Sequence, residues 1–446
     1  MKLISYSFST LLLLGVPQWS LAKVSEQEAS QLGKTLTPVG AIKQGNKAGS
    51  IPAYKGGLAQ DKDANPYEDI YAHEAPLFVI DQSNLAQHKQ NLTPGQLAMF
   101  AKYPKSYKMA IYPSHRTASL SQDVMDNAKK NATQAQLVAG GNGVKQFEGN
   151  IPFAIPNSGV EVIWNHITAY KGGNVHVATA SNIVETDGSF STMTISTKFA
   201  YPESLPGGRD PKKDKNILFY TLDYTKAPAR LTGNVSLVHE TIDQLSQPRK
   251  AWIYNAGQRR VRRAPQVGYD APTHEGIRTV DQVAMFNGSP DRFDWKLVGK
   301  KEIYIPYNSY KIIDKNTKYA DIVAPGHINQ DYARYELHRV WHVQGTLKEG
   351  ARHVYGKRDL YMDEDSWQVA VADHYDERGQ IWRLAEGHSM QFVNANAAWY
   401  VAMTSYDLFS GRYQVDLRGE EKAPFDFGMK MKRKHFTTSA LRRTGR

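Results

Sequence analysis

The chain has 446 residues, no cysteine and a formal net charge of +11. Hydrophobic residues make up 41% of it and charged residues 22%, which excludes an intrinsically disordered protein. The absence of cysteine excludes disulfides, thiolate metal sites, iron–sulfur clusters and cysteine nucleophiles.

The first 22 residues have the pattern of a secretory signal peptide. Lys2 supplies the charged start, residues 8–16 form a short apolar segment, and Ser20 and Ala22 are the small residues before the cut. Such a segment spans only about half of a bilayer core as a helix, so a membrane anchor is not expected. We therefore predict cleavage after Ala22 and export to a bacterial periplasm, with a buried N-terminal helix as the alternative.

Residues 23–145 are expected to form a helix-rich N-terminal arm that packs on the sheet. Thr93 to Gln96 is a helix start, because Thr can cap it, Pro94 occupies the first helical position and Gln96 completes a capping box. The proline and glycine residues of 36–66 predict an extended connection. Further helices are predicted over Glu26–Leu32, Ser119–Leu137 and residues 158–168.

From residue 174 the hydrophobic period changes from about 3.6 to about 2, which indicates strands. Asp187 and Gly188 form a strong hairpin signal between the first two. Short gaps and the absence of helical crossovers predict an antiparallel meander rather than a parallel α/β sheet. Strands are predicted over residues 174–185, 190–200, 216–224, 234–241, 250–255, 258–263, 297–305, 333–346, 353–362, 367–375, 380–391, 398–408 and 412–418.

Several predicted strands place aromatic and aliphatic side chains on one face, as Trp367, Val369 and Val371 would be. A sheet with such a face closes into a barrel, takes up a helix or admits an apolar ligand. We predict a hydrophobic ligand cavity, with a filled core as the alternative. The predicted wall residues are Trp252, Tyr254, Trp341, Tyr361, Trp367 and Trp382.

A basic aromatic hairpin is expected where Arg249–Tyr254 leads through a glycine turn to Arg259–Pro265. Arginine binds phosphate and carboxylate groups through two hydrogen bonds, and Trp and Tyr favour bilayer interfaces. We predict an anionic lipid head group or a partner at this hairpin, with pairing to acids elsewhere in the chain as the alternative. The predicted contacts are Arg259, Arg260, Arg262 and Arg263.

The remaining positive charge lies at the C terminus, where residues 429–446 contain seven basic residues and no acidic one. Each basic residue near an anionic membrane contributes on the order of 1 kcal/mol to binding. In an exported protein this charge points to a membrane surface and not to nucleic acid. A disordered solubilising terminus is the alternative.

The patterns that resemble catalytic or metal sites do not support chemistry. Residues 387–391 lack the closing glycine of a nucleophile elbow and lie in a predicted strand. His338 and His342 would stand about 13 Å apart in a strand, too far for one metal. Asp363 and Asp365 fall at a predicted hairpin turn, where Asp satisfies backbone donors. We expect no enzyme activity, cofactor or metal, and keep a hydrolase of envelope glycans or lipids as an alternative.

Several segments together resemble the domain of unknown function family 1329, a family of secreted Gram-negative proteins. They are residues 250–265, 288–302, 352–355, 360–367 and 373–382. The second half also resembles, more loosely, the LolA and LolB proteins of lipoprotein sorting, most of all over residues 361–379. That resemblance implies an open antiparallel half-barrel around helices, with a cavity for acyl chains. The family resemblance implies a link to export pumps of the resistance–nodulation–division (RND) type.

The sequence thus predicts an α+β protein in which a large curved antiparallel sheet wraps around helices, preceded by a helix-rich segment. Its expected function is to bind a lipid or lipoprotein in outer-membrane traffic with an RND-type exporter. A stress sensor of the same fold that binds a partner protein is the alternative. The predicted parts are a signal peptide (1–22), an arm (23–145), a half-barrel (146–420) and a basic tail (421–446).

Overall fold

The structure, a computed structural model, describes residues 24–264, 270–273, 276–418 and 424–445. The predicted signal peptide and its cleavage site lie outside the described residues. Within these ranges, no helix combines the length and the apolar character that crossing a membrane requires.

The helices of the described residues are short. The predicted start of the third one is confirmed, since the Gln96 amide donates to the Thr93 hydroxyl and the Thr93 amide donates to the Gln96 side chain. The N-terminal segment is not rich in helix, because its Pro- and Gly-containing part, residues 36–66, forms turns and bends without a helix or a strand. The α-helices are α1 (Glu26–Ala29), α2 (Leu85–His88), α3 (Pro94–Lys102), α4 (Gln122–Gln134), α5 (Gly159–Thr168), α6 (Tyr310–Ile313), α7 (Tyr319–Ile322) and α8 (Thr438–Thr444).

The strands confirm every strand predicted from the two-residue period, with ends that differ by a few residues. Gly188 has a φ of +87°, which the tight turn between the first two predicted strands requires. The strands are β1 (Phe78–Ile80), β2 (Met109–Tyr112), β3 (Gln136–Leu137), β4 (Val144–Lys145), β5 (Val175–Val184), β6 (Phe190–Ala200), β7 (Ile217–Ala227), β8 (Val235–Thr241), β9 (Lys250–Asn255), β10 (Arg260–Arg263), β11 (Phe293–Pro306), β12 (Tyr335–Leu347), β13 (Lys357–Asp363), β14 (Val369–Tyr375), β15 (Ile381–Phe392), β16 (Ala397–Asp407), β17 (Tyr413–Arg418) and β18 (Phe425–Asp426).

Sixteen of these strands form one sheet, in the order β1-β2-β12-β13-β14-β15-β16-β17-β5-β6-β7-β8-β9-β10, with β11 on β12 and β18 on β5. All pairs are antiparallel except β2 with β12, so the sheet is mixed but mostly antiparallel. It is neither closed nor strongly curled. The predicted large and mostly antiparallel sheet is therefore confirmed. The predicted strong curvature of a half-barrel is not.

The middle of the sheet is covered on both faces. Leu360 and Ala372 lie opposite each other and share a hydrophobic cluster with Ile163 of α5. Their neighbours Tyr361 and Val371 point to the other face and cluster with Phe100 of α3. Because both faces are covered, β13 and β14 are buried along almost their whole length.

The C-terminal residues also pack on the sheet. Helix α8 contacts β8, β9 and β10, and its own Leu441 is fully buried against them. Phe436 is buried in the same cluster, and the Arg433 side chain forms an ion pair with Asp214. Residues 424–445 are therefore folded, and the alternative of a disordered terminus is wrong for this part of the chain.

Candidate functional site

A mostly apolar cavity of about 300 Å³ lies between one end of the sheet and the C-terminal end of α5. Phe199 of β6 and Phe219 of β7 supply aromatic wall, and Val238 of β8 continues it. Ala284 and Phe286, from the segment before β11, line it as well. A concave, mostly apolar lining of this kind suits an apolar ligand.

Strand register explains why these side chains meet. Phe199 lies opposite Thr221, and Thr221 lies opposite Val238. Directly opposed residues of antiparallel strands point to the same face, so the three form one row across β6, β7 and β8. The alternation along these strands therefore places a row of side chains in the cavity.

His166 of α5 fixes the segment that closes the cavity. Its Nε2 donates to the Ala284 carbonyl at 3.1 Å, and its Nδ1 accepts from the Val369 amide at 3.3 Å. Burial lowers the pKa of His166 to about 4, so the ring is neutral at physiological pH. His166 thus ties α5 to both the sheet and the closing segment, without adding charge to the cavity.

Lys171 is a buried cation in the cavity wall. Its Nζ donates to the carbonyls of Ile167 at 3.1 Å and Ala169 at 3.2 Å, at the C-terminal end of α5. The same atom stands 5.3 Å from the ring centre of Trp399, which also lines the cavity. Burial lowers the pKa of Lys171 to about 7.

The other ionisable groups of the cavity have partners. Glu240 forms an ion pair with Arg249 at 2.6 Å. Asp223 accepts hydrogen bonds from the hydroxyls of Thr197 at 2.8 Å and Ser236 at 2.9 Å, and burial raises the pKa of Asp223. The cavity is therefore an apolar space with one cation that, among the described residues, has no carboxylate partner.

The six predicted wall residues are not brought together, and none lines this cavity. Trp252 and Tyr254 of β9 belong to the cluster beneath α8. Trp341 stacks on Trp367 at 5.8 Å, and Trp367 donates its indole N–H to the Val39 carbonyl. Their role as ligand contacts stays a prediction.

The last two of the six lie in other parts of the fold. Tyr361 stacks on His342 at 4.6 Å and is buried in the cluster on the α3 face. Trp382 donates its indole N–H to Asp407 at 3.0 Å and stacks on Phe409. Both therefore pack against side chains of adjacent strands and their turns.

The four predicted arginines lie on the exposed hairpin of β9 and β10. Arg262 lies opposite Ile253, and Ile253 lies opposite Ser236 of β8. Ser236 in turn lies opposite Asp223, a cavity residue, so Arg262 points to the same face as the cavity wall. Arg259, Arg260, Arg262 and Arg263 form no ion pair within the described ranges, so the alternative of paired arginines applies to Arg249, which pairs with Glu240.

The exposed arginines belong to a larger group of cations. Helix α8 packs beside the hairpin and exposes Arg442 and Arg443. The pKa of His435 is lowered by burial and by the nearby charges of Lys198, Lys434 and Lys432. We call the exposed cations of this end the basic surface: Arg259, Arg260, Arg262, Arg263, Lys432, Lys434, Arg442 and Arg443.

A second polar cluster lies in the covered middle of the sheet. His338, Asp363 and Asp365 have ligand atoms within 4.8 Å of one another. Both oxygens of Asp365 accept from Arg116, at 2.7 and 2.8 Å, and Arg116 also contacts Glu364. A metal ion here would lie next to the Arg116 guanidinium, so the arrangement favours an ion-pair network that holds the N-terminal arm.

The serine and the two histidines that were considered as catalytic or metal-binding candidates lie in strands of the sheet. Ser389 is buried in the interior of β15, as its predicted strand requires. His338 and His342 have separate carboxylate partners, Glu336 and Asp359. The absence of enzyme activity stays a prediction.

Sequence reasoning missed the cavity residues themselves. The period of two could have identified Phe199, Phe219 and Val238 as members of strand faces, but not which faces meet. Lys171 follows an apolar helix as a single lysine, and such a lysine has no signal that separates a buried cation from an exposed one. The contact with Trp399, far along the chain, is what makes it part of the cavity.

Comparison with known proteins gives one family and several loose structural likenesses. The model of the family "Protein of unknown function (DUF1329)" matches residues 79–442. The chain is 52% identical to "Uncharacterized protein PA3922" of Pseudomonas aeruginosa, over 95% of each chain. A DUF1329 family protein from Desulfovibrio piger is 15% identical, with a TM-score of 0.44, over 64% of this chain and 95% of that one. A putative outer membrane lipoprotein-sorting protein domain from Vibrio parahaemolyticus is 11% identical, with a TM-score of 0.43, over 61% and 93%.

Proposed function

The chain belongs to the DUF1329 family of proteins of unknown function, and from its cavity and its basic surface we propose that it binds lipid. Membership confirms the family resemblance expected from the sequence. The bound molecule is a lipid or the acyl chain of a lipoprotein, and the protein carries it within the periplasm. The single observation on which this proposal depends is the apolar cavity of about 300 Å³ at the end of the sheet.

The cavity supplies affinity through apolar burial. Each methylene transferred from water into such a space contributes about 0.8 kcal/mol. The aromatic walls of Phe199, Phe219 and Phe286 offer an apolar lining, and most of the surface that lines the site is apolar. This combination suits one acyl chain better than a sugar or a peptide, both of which need many hydrogen bonds.

The basic surface suits contact with a membrane. Arg260 and Arg262 of this surface point to the same face of the sheet as the cavity, two strands beyond β8, whereas Arg263 and α8 lie on the other face. Neighbouring strands are about 4.8 Å apart and residues about 3.3 Å apart along a strand, so Arg262 lies about 12 Å from Val238 across the sheet. A protein docked there on anionic head groups would hold the cavity close to the acyl chains. The predicted signal peptide supports a periplasmic location, peripheral to the outer membrane.

The proposed role is non-enzymatic. Lipid exchange needs a cavity and a docking surface, and both lie at the same end of the sheet. An RND-type exporter as partner and a stress-sensor role stay predictions, since both came from resemblance alone.

The test is native mass spectrometry of the mature protein purified from the periplasm of its own host, followed by lipid extraction. We expect a bound lipid in about one-to-one ratio, and a smaller bound fraction when Thr221→Phe places a ring in the cavity. Protein that emerges without lipid and takes none from vesicles would contradict the proposal.

A further inference from the structure

The unpaired cation in the cavity narrows the class of ligand. Lysine has three N–H donors, and Lys171 uses two of them on the carbonyls of Ile167 and Ala169. The third has no hydrogen-bond acceptor among the described residues. Because Lys171 lines the cavity, this donor is available to a ligand in the same space.

Among the cations of the cavity, Lys171 is the one that has no carboxylate partner in the described residues. Arg249 and Glu240 neutralise each other at 2.6 Å, and Asp223 is held by the hydroxyls of Thr197 and Ser236. His166 has both ring nitrogens engaged by the main chain. A buried ammonium without an anion is costly, and an anion brought by a ligand would remove that cost.

We propose that the cavity binds a single-chain anionic amphiphile, such as a fatty acid, whose carboxylate forms an ion pair with Lys171 while its chain lies along the row of Phe199, Thr221 and Val238. The inference depends on the lipid-binding function proposed above and adds the chemistry of the head group. It differs from head-group contact at the basic surface, because the charge is recognised inside the cavity.

The ring of Trp399 next to the ammonium also supports the assignment. An aromatic face 5.3 Å away stabilises a cation without supplying a negative charge, so it keeps Lys171 in place and leaves its charge available. A carboxylate is the simplest ligand group that accepts the third N–H and supplies the opposite charge.

The experiment compares dodecanoate, dodecanol and dodecylammonium on the wild-type full chain by titration calorimetry at pH 6, below the micelle concentration. We expect dodecanoate to bind at least 10-fold more tightly than dodecanol, and dodecylammonium most weakly. Equal affinity for the acid and the alcohol would overturn the inference while leaving the lipid-binding function intact. Failure of all three to bind would overturn both.

Two variants assign the preference to Lys171. Lys171→Met is expected to keep dodecanol affinity within about threefold and to lose the preference for dodecanoate, and Lys171→Arg is expected to retain it. A matched control, Lys55→Gln with Lys62→Gln at exposed positions of the N-terminal arm, should leave the preference unchanged. If the control abolishes the preference as Lys171→Met does, the acid is recognised outside the cavity and the inference is wrong. Since the three-ligand comparison uses wild-type protein, it decides the matter even if Lys171→Met does not fold.

Discussion

Two regions of one sheet satisfy their polar groups in different ways. In the anchored region, β12–β15, buried charges pair within the chain, as Arg116 does with Asp365. In the open region, β6–β10, an apolar space remains and the buried Lys171 has only carbonyl partners for its N–H groups. The difference separates groups that hold the fold together from groups that are available to a ligand.

The anchored region also explains the role of the N-terminal arm. Trp367 donates to the Val39 carbonyl, and Gln96 donates to Glu386. These contacts join residues that are about 300 positions apart in the sequence, so they couple the arm to the sheet. In the open region, α8 covers only one face of β9 and β10, and residues of the other face, such as Ile253 and Arg262, are exposed.

The largest expected effect is the loss of an anchor. Arg116→Ala would leave the buried carboxylate of Asp365 without its guanidinium partner, whereas Glu364 would keep its ion pairs with Arg339 and Lys300. Breaking a buried ion pair in this way costs about 3–5 kcal/mol, measured as the free energy of unfolding in urea. The control Lys130→Ala removes an exposed pair with Glu148 and should cost less than about 1 kcal/mol. A loss below 1 kcal/mol for Arg116→Ala would show that the network does not anchor the arm.

The next effect is a pH dependence of the folding stability, which Glu386 of the anchored region causes. Burial raises the pKa of Glu386 to about 7, whereas an unfolded chain would ionise it near its ordinary value. The folded state therefore gains stability from the proton at low pH, and this gain is lost as the pH rises from about 4 to about 7. Its size is about 3 kcal/mol, since one unit of pKa corresponds to about 1.4 kcal/mol.

Glu386→Gln tests this directly, because the amide keeps the contacts with Gln96 and Tyr335 without a proton to lose. The variant should become more stable than the wild type as the pH rises through that window. The measurement is the difference in unfolding free energy at pH 4.5, 6 and 8. A difference that stays constant with pH would mean that Glu386 is not protonated in the folded protein.

The sequence was informative where local chemistry decides the structure. The capping box of Thr93 and Gln96 and the alternation of the strands predict helix starts and strands that the structure confirms. Strands β1 and β2 were missed because three or four residues show no clear period. The parallel pairing of β2 with β12 depends on residues more than 200 positions apart.

The site was harder to predict than the fold. Tryptophan was chosen as cavity wall for its size, yet Trp367 is fully buried and fills the core with its own hydrogen bond. The four arginines were placed by a local pattern, and they are exposed as a head-group site would need. The cavity could not be predicted from local patterns, because it lies where β6–β8, α5 and the segment before β11 meet, and these parts are far apart in the sequence.

A third prediction concerns the basic surface. Arg260→Gln with Arg262→Gln should weaken binding to anionic phospholipid vesicles about 30-fold at low salt, since each cation contributes about 1 kcal/mol there. The matched control replaces two exposed lysines of the arm, Lys55→Gln and Lys62→Gln, and should change binding by less than about threefold. Vesicle flotation at increasing salt provides the measurement. If both double variants lose the same vesicle affinity, binding depends on the net charge of the protein and not on the basic surface.

The smallest expected effect is steric and lies in the open region. Thr221→Phe places a ring in the cavity and should lower dodecanoate affinity about tenfold, with a stability change of about 1–3 kcal/mol. The control Ser191→Phe adds the same ring at an exposed position of β6. Both are measured by titration calorimetry and urea unfolding. If Ser191→Phe lowers affinity as much as Thr221→Phe does, the ligand is not in the cavity.

The most direct test of the central claim is to locate a bound chain by anomalous diffraction from 12-bromododecanoate in crystals of the mature protein. We expect the bromine peak in the cavity between Phe199, Phe219 and Phe286, with the carboxylate density at Lys171. A bromine peak outside the cavity, for example against α8 or the β9–β10 hairpin, would contradict the account.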